Sequence, residues 1–182
     1  MTLTFDPAAE RARYQAREGF LSWHRALALG LAPGVTFQPE TFASVEDQVV
    51  ETLWAEGMVL ESAPAEDVSE ARASFSVLSP RRESHGWSVA ATLMLAFPDA
   101  ARNQRLADLH HFPDRLLLEL SSGERVVPEV DRGTAGPGDR LPSVLALRYV
   151  IPEGAAPAAL VSTDPGIPGR WPAPPSWSAW LP

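Results

Sequence analysis

The 182-residue sequence contains no cysteine, and all 15 of its basic residues are arginine, so lysine is absent as well. Without cysteine there is no disulfide, no thiolate metal site and no cysteine nucleophile. Without lysine, the phosphate-loop lysine, the kinase strand lysine, Schiff-base chemistry and Ser-x-x-Lys acylation fall away. Long apolar runs are missing too: no stretch reaches the ~18 apolar residues of a membrane span. "GFLSWHRALALGLAPG" follows three arginines and imitates a leader, but His24 and Arg25 interrupt its apolar centre. The expectation is a soluble chain, cytoplasmic by default, with no membrane insertion.

Positive charge is scarce as well. The net charge is -8, and it is unevenly spread. Residues 35–79 carry nine acids and only Arg72, whereas acids and arginines nearly balance on either side. A nucleic-acid surface needs a basic footprint to displace counterions from phosphates. None is present, so nucleic acid is excluded as a partner.

What is present reads as α+β. Asp6–Pro7 starts a helix, with Ala9, Ala12, Ala16, Phe20, Trp23 and Leu27 on one face, ended by Gly30 or Gly34 with Pro33. "ASVEDQVVETLWAEG" predicts a second helix. Ser44 and Asp47 have capping-box spacing, and Val45, Val49 and Leu53 form the apolar stripe. A strand through Val50, Thr52 and Trp54 competes over residues 44–60. The acidic, Pro/Ala-rich text from Glu61 to Glu70 reads as a loop.

From there the period becomes two. Ala73, Phe75 and Val77 alternate, and "SPRRESHG" has turn composition. "WSVAATLMLAF" then alternates Trp87, Val89, Ala91, Leu93, Leu95 and Phe97. "RLLLELSSGERVVPEV" reads as a hairpin around Ser121–Glu124, "SVLALRYVIP" as a strand, and "AALVS" as a short last one. Short strands separated by turns predict an antiparallel sandwich or barrel. The division expected is 1–72 helical with an acidic second helix, 73–164 antiparallel β, and 165–182 an extended Pro/Trp-rich docking tail. The stretch 73–164 resembles the small immunoglobulin-like domains found outside the cytoplasm in bacteria, through "LLLELSSGERVVP", a Gly/Pro loop and "LALRYVIPEG". That resemblance implies a binding or structural module.

Candidate chemistry is sparse. Asp108, His110, His111 and Asp114 in "DLHHFPD" are metal-ligand types. Adjacent strand histidines point to opposite faces, however, and Phe112–Pro113 marks a turn. Glu83, Ser84 and His85 look like a catalytic set, but triads are assembled in space rather than in sequence, and no G-x-S-x-G elbow accompanies them. "EVDRGTAGPGDR" lacks both the phosphate-loop and the EF-hand pattern. The sequence points away from an enzyme, and no cofactor is expected.

Partner-binding candidates are of two kinds. Glu46, Asp47, Glu51 and Glu56 lie on the second helix away from its apolar stripe, where they can steer a basic partner. Trp171, Trp177 and Trp180, half of the chain's tryptophan, fall in the last fourteen residues. They read as anchors, either for a lid on the chain's own body or for a strap to another subunit. The function expected is a non-catalytic binding or structural module engaging a protein partner or further copies of itself. A small-molecule or metal binder with a pocket between helices and sheet, and a hydrolase of unrecognised type, stay open.

Overall fold

The computed structural model describes residues 17–19, 22–133 and 140–181. Most of the first expected helix, from Asp6 to Ala16 with Phe20, lies outside the described residues, as do 134–139 of the Gly/Pro loop. Residues 17–19 and 22–25 are helical.

The fold is α+β, with every strand pair antiparallel. The first sheet contains β1 (Leu29–Ala32), β2 (Val35–Pro39), β3 (Arg81–Glu83), β4 (Gly86–Leu95), β7 (Glu129–Asp131) and β8 (Val144–Pro152), in the order β1-β2-β4-β8-β7. The second contains β5 (Leu116–Leu120), β6 (Arg125–Val126), β9 (Pro157–Ser162) and β10 (Gly169–Pro172), in the order β10-β9-β5-β6. Neither sheet closes on itself, so the barrel expectation is not met. One buried cluster draws on both sheets: Phe37, Leu93 and Leu147 from the first, Leu116, Leu118 and Leu160 from the second. The buried Tyr149 hydroxyl donates to the Leu116 carbonyl (2.9 Å), tying β8 to β5. Burial holds that phenol far above its usual value.

The strongest alternation makes the central strand. β4 pairs along its whole length with β8, from Gly86↔Pro152 to Met94↔Val144. Its other edge is shared, because β2 covers Ala91–Leu95 and β3 covers Gly86–Ser88. Ala90 falls in the gap. Its carbonyl accepts the Glu40 N–H (3.0 Å) and the Trp180 indole Nε1–H (2.8 Å) instead of a ladder partner. The Trp180 indole thus adds a second donor to a carbonyl at this sheet edge and ties the final segment to β4.

Helix α1 (Phe42–Ala55) forms as its stripe predicts, burying Val45, Val49 and Leu53. The cap is corrected by one turn. Thr41 is the N-cap, its Oγ1 accepting the Ser44 N–H (3.1 Å) while Ser44 Oγ accepts the Thr41 N–H (2.8 Å). Two hydroxyls close the box, rather than Ser44 and Asp47. The competing strand through Val50, Thr52 and Trp54 does not form.

Residues 61–64 form a loop as expected, but helix α2 (Ala65–Ser74) replaces the rest of the expected loop to residue 70 and the start of the alternation at Ala73, Phe75 and Val77. Glu66 and Asp67 in its first turn and Arg72 in its last complement the helix dipole. Ala71 packs with Val49 and Leu53 in a second, smaller core. Helix α3 (Asp99–Asp108) was not anticipated; its one buried side chain, Leu106, is too little to register as a stripe. Residues 29–39 correct the helical reading of 1–72, because they form the β1–β2 hairpin. Gly34 turns it at φ 77°, and a Cβ there would stand 2.6 Å from the Ala96 carbonyl oxygen.

The final segment is not simply extended. β10 adds to the second sheet with Trp171 opposite Leu160. A 3-10 turn at Pro175–Ala179 then places Trp177 and Trp180 side by side, their rings 5.3 Å apart at 70°. No helix among the described residues is long and apolar enough to cross a membrane.

Candidate functional site

Glu40 follows the last residue of β2 and precedes the Thr41 cap, and this position carries its carboxylate under α1, only 2% exposed. Ser44 Oγ donates to Oε2 at 2.7 Å, Thr92 Oγ1 on β4 donates to Oε1 at 2.6 Å, and Gln48 Nε2 reaches Oε2 at 3.4 Å. His24 Nε2 lies 3.6 Å from Oε2. The His24 carbonyl in turn accepts the Gln38 amide (2.9 Å). Ser176 Oγ donates to the Ala26 carbonyl and Trp177 Nε1 to the Leu27 carbonyl. This polar knot therefore joins residues 24–27, β2, α1, β4 and the final segment. On its outer side Arg17 pairs with Glu51 and lies 3.7 Å from Asp47. Burial raises the Asp47 carboxyl above its usual value, against the pull of Arg17.

Burial pulls His24 down, but the hydrogen bonding and charge of Glu40 outweigh it, so its pKa stands above the ordinary 6.5. A raised folded value means stability that is fully present below 6.5 and lost as pH rises through the folded value. Urea midpoints from about pH 5.5 to about pH 8.5 should therefore fall more steeply in the natural chain than in His24→Gln. Parallel profiles for the two would contradict the pairing.

The outer face of α1 is the unusual surface. At 100° per residue, Ala43, Val50 and Trp54 share one strip about 100–140° around the helix from the centre of the Val45, Val49 and Leu53 stripe, while Asp47 and Glu51 lie opposite that stripe and Phe42 lies on its meridian. Val50 is 41% exposed and Trp54 44%, and Phe42 at the start of the helix is 50% exposed. Glu46 flanks this strip on one side, where Arg72 of α2 pairs with it (2.8 Å), and Asp47 and Glu51 flank it on the other. The Arg72 hydrogen bond draws the Glu46 carboxyl below its usual range. Glu56 is exposed beyond Ala55.

Of the four acids named from sequence, Glu46 flanks the strip on the side of Arg72, Asp47 and Glu51 flank it on the side of Arg17, and Glu56 lies past the end of the helix. The sequence reading missed Phe42 altogether and took Val50 and Trp54 only as strand formers. The i, i+4 spacing of Val50 and Trp54, off the buried stripe, was the available signal. It also missed Glu40, because glutamate is almost never fully buried unless paired.

The other nominated residues do not converge. Asp108 accepts the Gln104 amide (2.7 Å), His110 Nδ1 contacts the Ala107 carbonyl (2.8 Å), and Asp114 pairs with Arg132. The His110 and His111 rings pack on each other at 3.8 Å. Among the described residues no group of three or more His, Asp or Glu is placed to hold a metal. Ser84 and His85 form the exposed turn between β3 and β4. Trp177 and Trp180 are each 1% exposed and belong to the main core, while Trp171 is half-buried against it.

The sequence profile described as "Protein of unknown function (DUF3501)" matches residues 6–163. The chain belongs to that family. The match spans the hairpin, α1 to α3, and the strands through β9, and stops short of β10 and the two buried tryptophans. A solved structure from Burkholderia pseudomallei K96243, described as a novel protein of unknown function, is similar over all of this chain and 97% of its own, with a TM-score of 0.77 and 20% identity. At that identity the likeness speaks to the fold alone, and its alignment does include β10 and the final turn. No curated protein matches.

Proposed function

We propose that this chain is a non-catalytic protein-binding module whose recognition surface is the outer face of α1. The observation that carries this is the exposure of Val50 and Trp54 side by side on the outer face of α1, in a domain that buries Trp177 and Trp180 internally. A side chain as large as tryptophan is a preferred interface anchor and a poor choice for permanent contact with water. The polar knot beneath α1 supports the reading, because it fixes the helix on the sheet and presents a rigid face at low entropic cost. We also read the two sheets as layers of an immunoglobulin-like sandwich serving as the scaffold; the cluster they share supports this.

The test is a photo-crosslinking side chain at position 54 in living cells, with position 124, at the exposed β5–β6 turn, as the control. A discrete adduct from position 54 and none from 124 is the expected result. No adduct from 54, or the same adducts from both positions, would remove the basis for the reading.

A further inference from the structure

We infer that the occupant of the α1 face is a basic amphipathic helix of a partner protein; this rests on the reading of α1 as the recognition surface. Three features lead to it. The first is shape. α1 is a helical ridge of 14 residues, roughly 21 Å long at 1.5 Å per residue. Val50 and Trp54 stand one turn apart along it. Such a ridge is matched by the groove between side-chain rows of a second helix, with apolar contacts at i, i+3, i+4 and i+7.

The second feature is charge. Residues 35–79 hold nine acids against Arg72. Glu46 is satisfied by Arg72 and Glu51 by Arg17. Among the described residues no ion pair holds Glu56, Glu61, Glu66 or Glu70, and all four are exposed. Glu56 and Glu61 follow the end of α1, and Glu66 and Glu70 stand on α2. A helix with arginine or lysine beside its apolar stripe would meet these carboxylates, gaining in encounter rate and in register.

The third is what the same charge disfavours. A second copy docking by its own α1 would use a self-complementary, two-fold contact, which sets this acidic rim against itself. An anionic membrane surface is repelled likewise. A basic partner is the occupant for which the apolar strip and the rim act together.

The probes are two labelled synthetic helices of about 18 residues with identical leucine patterns, one carrying arginine and the other glutamate at every polar position. Binding to the full chain is read by fluorescence anisotropy at about 50 mM and about 300 mM salt. The arginine helix should bind and weaken with salt, and the glutamate helix should not bind. V50S/W54S should weaken the arginine helix by about tenfold or more. The charge-reversed E56R/E61R/E66R, which leaves the apolar strip intact, should weaken it to a similar degree, so the test stands even if the first variant is poorly folded. Equal binding of both helices, binding of neither, or full affinity in both variants would overturn the inference.

The crosslink at position 54 separates the two levels. An adduct with a second copy, or with a partner lacking a basic helix, removes the inference and leaves the recognition surface standing. No adduct at all removes both.

Discussion

Replacing Trp180 with alanine is expected to cost about 3–5 kcal/mol, the range for truncating a large aromatic in a close-packed core. The ring is 1% exposed and touches Phe37 (5.7 Å), Tyr149 (6.1 Å) and Trp177 (5.3 Å) edge-on. The alanine leaves a cavity where both sheets and the final segment meet. It also leaves the Ala90 carbonyl with the Glu40 N–H alone, at the gap between β2 and β3. Against a typical domain stability of about 5–15 kcal/mol, this is a large fraction of the whole. Trp177→Ala should be of the same order, since that ring is as buried and holds the Leu27 carbonyl.

The two rings touch, so the double variant should not show the simple sum. Trp180→Phe separates the contributions: most apolar volume stays, the indole donor goes, and about 1 kcal/mol is expected. Trp54→Ser should lie within about 0.5 kcal/mol of the natural chain, because its ring is 44% exposed and packs on neither buried cluster. Urea denaturation of the four single variants checks the order. If Trp180→Ala melted with the natural chain and Trp54→Ser did not, the placement of the tryptophans would be wrong.

The second large effect belongs to Glu40. Alanine there removes the acceptor shared by Ser44, Thr92 and Gln48 and the negative charge beside His24. Removing one member of a buried charged network costs about 3–5 kcal/mol. Glu40→Gln keeps the shape and one carbonyl oxygen, and the Ser44 and Thr92 hydroxyls can rotate to meet an amide. A smaller loss follows, on the order of 1–2 kcal/mol. Both variants should flatten the decline in stability above pH 6.5, because this carboxylate is what raises the His24 pKa against the effect of burial. A Glu40→Gln protein that kept the full pH dependence would show that another group holds His24. α1 sits directly on this knot, so Glu40→Ala should also speed hydrogen exchange in residues 42–55 before the rest of the chain.

The parts of the fold legible in sequence are those whose pattern is set by burial on one face. β4, β8, the 121–124 hairpin and α1 all carry several apolar residues at a single period, and each forms where expected. Gly123, at φ 85°, turns the hairpin as its position required. α2 and α3 were not legible because each buries a single side chain, Ala71 or Leu106, and what supports them is acids in the first turn and an arginine in the last rather than a stripe. The β1–β2 hairpin was hidden by the run of leucine and alanine that continues the helical text before it.

The site divides the same way. The acids of α1 could be named from their spacing. The aromatic face could not, because exposure of an apolar residue depends on which partner element is absent. Nor could the burial of Glu40, which depends on Thr92, more than fifty residues away in sequence. The tryptophan anchors were legible as a pair three residues apart. Their receptor, formed by Phe37, Tyr149 and the Ala90 carbonyl, is assembled only in the folded chain.

Trp54 faces outward on α1 while Trp177 and Trp180 serve the core. Acrylamide quenching of the natural chain and of Trp54→Phe, Trp177→Phe and Trp180→Phe tests this difference in a single experiment. The emission removed by Trp54→Phe should be red-shifted and readily quenched, and the emission removed by the other two should be blue-shifted and shielded. A Trp54 contribution as shielded as that of Trp180 would mean that the α1 face is already covered, and the proposed recognition surface would be lost.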